Sequence, residues 1–175
     1  MIRRALSLMI IFLSAITAQA AKPLIQVDMI LFLHQSEMLS ADDLVFAKKF
    51  HGIPLTSQGS GPYHLLPRQK SDLAREYYAL SKRPEFQIIG QYSWTQPTKT
   101  NSPVLLQFNG VNGWQVNGEI SIQQNQYYLL NGQFEFNLAD KAQIRMSQRQ
   151  RLKNNTVYYL DHPQAGMLIK IHPVT

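Results

Sequence analysis

Apolar and polar residues alternate with a period of two along much of the chain. Trp114, Val116, Ile120 and Ile122 alternate with Gln115, Asn117, Glu119, Ser121 and Gln123, which predicts a strand with one face in a core and the other in water. Tyr128, Leu130, Phe134, Phe136 and Leu138 repeat the pattern, and Gly132 among them marks a bulge or a crowded point. Over 24–33, Ile25, Val27, Met29, Leu31 and Leu33 share one face. Ile30 and Phe32 make the opposite face apolar too, so this strand belongs in the middle of a sheet, covered on both sides. Further strands are expected over 86–94, 104–108, 142–153, 156–160 and 167–171.

Helical spacing occurs twice. Ser40 can cap a helix reaching Phe50, with Asp42 and Asp43 near its positive end, Lys48 and Lys49 near its negative end, and Gly52 beyond. Ser71 caps a second, with Leu73, Tyr77 and Leu80 on one face and Pro84 as its stop. Residues 53–70 have no period and contain Pro54, Gly59, Gly61, Pro62 and Pro67, so they read as a long, poorly ordered link. Asn109-Gly110 and Asn112-Gly113 make a bend. Asn154-Asn155 reads as a two-residue hairpin, because Asn tolerates positive φ. The sum is an α+β single domain, a mainly antiparallel sheet of about six or seven strands in a meander with two helices packed against it.

The start of the chain has a different character. Arg3 and Arg4, a short apolar stretch over 5–16, and the small-x-small site Ala18-Gln19-Ala20 read as an export signal over 1–20, with the domain over 21–175. The apolar stretch is shorter than the roughly 20 residues a spanning helix needs. The expected product of cleavage is an exported, periplasmic protein of about 155 residues that does not span the membrane, with a net charge of about +4. The chain has no cysteine, which removes disulfides, thiol catalysis, cysteine metal sites and lipid attachment through a cysteine. For an exported protein, a mild basic excess favours anionic cell-wall or lipid partners and not nucleic acid.

The charge is concentrated near the end. In a strand over 142–153, Arg145, Arg149, Arg151 and Lys153 fall on one face, with Ala142, Ile144, Met146 and Leu152 on the other. A two-residue Asn154-Asn155 hairpin sets Lys153 opposite Thr156, Leu152 opposite Val157 and Arg151 opposite Tyr158, so that a guanidinium can rest on a ring. Such a stripe offers donors to carboxylates and a flat apolar surface to sugars, and Trp94 or the long link could add to it. The bland reading of the same pattern is a solvated basic face with ordinary cross-strand packing.

Asp161-His162-Pro163 suggests catalytic or metal chemistry, yet neighbours in an extended segment point apart, so the pair is no dyad. Asp161 bonding nearby backbone and Pro163 fixing a turn is the expected role. His34, His51, His64 and His172 are scattered without ligand spacing, so no metal and no cofactor are expected. Glu119 and Glu135 read as solvated residues, and motifs for a nucleophilic or nucleotide-dependent enzyme are missing.

Arg149 and Arg151 followed by Tyr159, Asp161, His162, Pro163 and Gly166 resemble the end of the CsiV peptidoglycan-binding family, in which arginines precede a Tyr-x-Asp-His-Pro-x-x-Gly segment. Val27, Asp28, Ile30 and Phe32, then Trp94, Gln96 and Pro97, then 118–122 and 128–130 are similar to earlier motifs of that family, in the same order. Thr95, Tyr158 and Ala165 depart from the family pattern, and 34–71 is short for it. The resemblance implies a non-enzymatic peptidoglycan-binding protein that assists wall synthesis. The partners it implies are an outer-membrane lipoprotein and, through it, a class A penicillin-binding synthase. Two other classes stay open: a periplasmic protein-protein adaptor without direct glycan binding, and a hydrolase.

Overall fold

The computed structural model describes residues 23–35, 48–58, 61–138 and 142–174. The expected export signal and most of the expected first helix lie outside the described residues, and 48–50 is irregular backbone. The strands are β1 (Leu24–His34), β2 (Ile53–Pro54), β3 (His64–Leu66), β4 (Phe86–Pro97), β5 (Val104–Asn109), β6 (Trp114–Gln124), β7 (Tyr128–Leu138), β8 (Ala142–Leu152), β9 (Tyr158–Asp161) and β10 (Ala165–Pro173), with helix α1 (Ala74–Ser81) between β3 and β4.

These ten strands form two five-stranded sheets, in the orders β3-β4-β1-β10-β9 and β2-β5-β6-β7-β8. The expected single sheet of six or seven strands is therefore corrected to two sheets, with one α-helix among the described residues. The reason lies in β1. Every residue from Val27 to Leu33 is buried, and a strand without a wet face needs neighbours on both edges and layers on both faces. β4 and β10 supply the edges, both antiparallel. The meander β5-β6-β7-β8 is as the alternation predicts, but it stops at β8, because β10 is taken by β1.

The inner faces of both sheets share one core. Ile25, Val27, Met29, Leu31, Leu33 and Trp94 come from the first sheet, and Val116, Ile120, Ile122, Leu130, Phe134 and Phe136 from the second. Each fully buried side chain of this size contributes about 1.5–3 kcal/mol. Phe134 lies over two glycines: a Cβ at Gly118 would stand 2.7 Å from its Cδ1, and one at Gly132 2.9 Å from its Cε2. Gly132 is thus a crowded point in unbroken pairing with Ile120, not a bulge. A smaller cluster of Ile30, Phe32, Leu73 and Leu80, with Tyr77 and Ile88 against it, seats α1 on the other face of the first sheet. Ser71 stands two residues before the N-cap position, Leu73, its Oγ accepting from the Leu73 amide at 3.3 Å.

The link over 53–70 is more structured than its composition predicts. It carries β2 to the edge of one sheet and β3 to the edge of the other, and a bridge between Thr56 and His64 joins them. Proline and glycine break periodicity but are acceptable on sheet edges, where a missing donor costs nothing. The opposite seam, between β8 and β9, is closed by a side chain: Gln148 Nε2 donates to the Asp161 carbonyl at 2.7 Å.

Candidate functional site

The outer face of the second sheet follows from its register. Gln115, Asn117, Ser121 and Gln123 on β6 face the same way as Asn131 and Gln133 on β7 and Ser147, Arg149 and Arg151 on β8. Side-chain amides and hydroxyls dominate it, so it both donates and accepts hydrogen bonds across its width.

The charges on this face divide it in two. Toward one end Arg145 Nε meets Glu135 Oε1 at 2.9 Å, and Lys48 Nζ meets Glu119 Oε1 at 3.5 Å. The backbone amides of Lys48 and His51 donate to Glu135 and Glu119, each at 3.2 Å, and Lys48 Nζ also bonds Gln133. Residues 48–51 thus strap that end, and Glu135, expected in solvent, is only 3 % exposed. Toward the other end Arg149, Arg151 and Lys153 are exposed, and among the described residues no carboxylate pairs with any of them. Arg149 and Arg151, two apart on β8, project about 7 Å from one another.

The stripe is therefore real for Arg145, Arg149 and Arg151, with Ile144, Met146 and Leu152 buried beneath it, but its aromatic neighbour differs from expectation. β8 pairs with β7 and β9 with β10, so Asn154-Asn155 carries the chain from one sheet to the other and is not a hairpin turn. Asn155 does take positive φ, 55°, which is the local property the dipeptide signals. What dipeptide chemistry cannot specify is the partner of the strand that follows. Tyr158 pairs with Ile169 and packs on the core, its hydroxyl accepting from the Lys153 amide at 2.9 Å. The ring under the Arg151 guanidinium is Tyr127, 4.7 Å away, a residue the sequence reading passed over because it stands in a turn, outside any alternating run.

Trp94 is also corrected: it is fully buried, and its Nε1 donates to the buried Gln96 Oε1 at 2.8 Å. Positions two apart share a strand face, so Trp-x-Gln is an internal clamp and Trp94 is not available to a ligand. His162 and Pro163 lie in the β9–β10 turn, flanked by the paired strand residues Asp161 and Gly166, with the His162 amide donating to the Ala165 carbonyl at 3.0 Å. Among the described residues the Asp161 carboxylate meets side chains and not backbone: it accepts from the Tyr159 hydroxyl at 2.8 Å and lies 3.4 Å from His34 Nε2. Burial holds the His162 imidazole below its usual range. Gly166 leaves room for the Phe32 ring, since a Cβ there would stand 2.3 Å from Phe32 Cζ.

Two open cavities flank the β6–β7 turn at the unpaired end of the face. One, of about 430 Å³, is lined by Tyr127, Lys153 and Asn154 among others; the second, of about 330 Å³, by Thr98, Lys99, Thr100 and Gln123; both include Gln124 and Asn125. Cations, amides, hydroxyls and one stacked ring are the groups that hold a carboxylate-bearing, hydroxyl-rich polymer.

No curated protein and no solved structure matches the chain significantly. The family model described as "Peptidoglycan-binding protein, CsiV" matches residues 4–174, nearly the whole sequence, and the chain belongs to that family.

Proposed function

We propose that this protein binds peptidoglycan through the outer face of the β6–β7–β8 sheet, at the end carrying Arg149, Arg151, Lys153 and Tyr127. The observation that carries this reading is a group of three cations without carboxylate partners among the described residues, beside an arginine-capped ring and a field of side-chain amides. Arg149 and Arg151 take stem-peptide carboxylates, whose planar geometry a guanidinium matches. The amides and the Tyr127 edge take the N-acetyl and hydroxyl groups of the glycan. The protein acts in the periplasm without chemistry of its own, assisting a wall synthase through a lipoprotein partner. Glu119 and Glu135, the carboxylates of this face, are each engaged by a cation and by a backbone amide of the 48–51 strap, which suits a structural role and not a carboxyl pair open to a glycosidic bond.

Sedimentation with purified sacculi tests the proposal. The wild-type protein should pellet at low salt and be released as salt rises. Replacing both Arg149 and Arg151 with alanine should weaken binding more than tenfold, since each lost charge-assisted bond is worth about 1.5–3 kcal/mol. Undiminished pelleting of the double variant would remove the face from the mechanism. No pelleting of wild type at low salt would favour a pure adaptor.

A further inference from the structure

Outside that face, on the α1 side of the first sheet, β1, β10 and the turn entering α1 converge on three ligand-type side chains. Asp28 is fully buried on β1, where it accepts hydrogen bonds from Gln26 Nε2 and Ser93 Oγ. Both donors are neutral, and a buried carboxylate is costly without a cation. His172 on β10 brings Nε2 to 3.5 Å from Asp28 Oδ2 and equally to 3.5 Å from Oδ2 of Asp72, which leads into α1. That nitrogen is buried and makes no hydrogen bond. One atom from each of the three residues lies within 4.8 Å of the other two.

We propose that Asp28, Asp72 and His172 form a divalent-cation site, with zinc as the best fit. Ligand bonds of about 2.0–2.1 Å in a tetrahedron place ligand atoms about 3.4 Å apart, and two of the three separations here are 3.5 Å. Two carboxylates and an imidazole, without thiolate, suit zinc or manganese and not copper(I). The three residues leave a fourth position for water. The ion neutralises Asp28 and ties the entry of α1 to β1 and β10. Lys170 is the competitor: its Nζ pairs with Asp72 Oδ2 at 3.0 Å, so metal entry requires the ammonium to swing away.

The site is separable by experiment from a protonated His172 held between two carboxylates, and from adventitious zinc at the His34, Asp161 and His162 group. Tag-free protein is stripped with chelator and titrated with zinc or manganese chloride, following the melting temperature and the heat of binding. At a hundredfold excess over Kd, zinc should raise the melting temperature by about 5 °C or more. Asp72→Asn, at a half-exposed position that folding tolerates, should abolish the shift, as should His172→Gln. His34→Gln should leave it intact. Lys170→Met should tighten zinc binding at least tenfold, whereas a purely ionic cluster would lose stability and gain no affinity. Absence of any shift with either metal, or a shift that survives Asp72→Asn, overturns the proposal.

Discussion

Trp94 and Gln96 have the composition of a ligand-binding pair and the position of a core clamp. Trp94→Phe leaves the buried Gln96 oxygen without its donor and opens a void, so it should cost about 2–4 kcal/mol in urea unfolding while leaving sacculus binding unchanged. The reverse pattern would return Trp94 to the binding face. Gly166 is the second residue whose role is steric: an added methyl meets the Phe32 ring, and Gly166→Ala should destabilise by about 1–3 kcal/mol. Sequence pattern made both positions conspicuous, but neither pattern distinguishes a residue aimed at a ligand from one aimed at a neighbouring ring. That distinction depends on which sheet face meets the second sheet, and nothing within two positions of Trp94 specifies it.

At the scale of elements, period-two runs coincide with strands where one face is wet. β6 and β7 follow their alternation closely, because water and core impose opposite demands on successive residues. The β8-to-β9 connection departs from the expected hairpin for a physical reason: an asparagine at positive φ satisfies a hairpin and a sheet-to-sheet crossing equally. Asn155→Gly should be nearly neutral and Asn155→Val should cost about 1–2 kcal/mol in thermal or urea unfolding, because at φ 55° a Cβ crowds the following carbonyl and a β-branched side chain crowds it most, whereas glycine has no Cβ. The edge strands β2 and β3 were missed because they are two and three residues long and owe their pairing to the sheets they border.

Across the whole molecule, pH and salt separate stability from binding. Burial lowers the affinity of folded His162 for a proton, so the unfolded chain, with an imidazole near the ordinary 6.5, binds that proton first as pH falls. The contribution of a neutral His162 is complete above about 6.5 and declines from there toward the lower folded value. Melting temperature should therefore fall as pH drops below 6.5, and His162→Gln should flatten that decline. An equal slope in the variant would assign the loss to other groups. Salt should act on sacculus binding through the exposed arginines and hardly at all on the buried core.

By itself the sequence determined a β-rich domain, the central position of the strand containing Asp28, the helix that begins near Ser71, and one cationic face on the strand before Asn154. Those are consequences of local periodicity, in which each residue's surroundings are set by its immediate neighbours. Tertiary structure alone decided the division into two sheets, the stacking of Arg151 on Tyr127, the burial of Trp94, and the meeting of Asp28, Asp72 and His172. Each depends on contacts between segments far apart in the chain, and their geometry exists only after β10 has paired with β1 and the two inner faces have closed on one another.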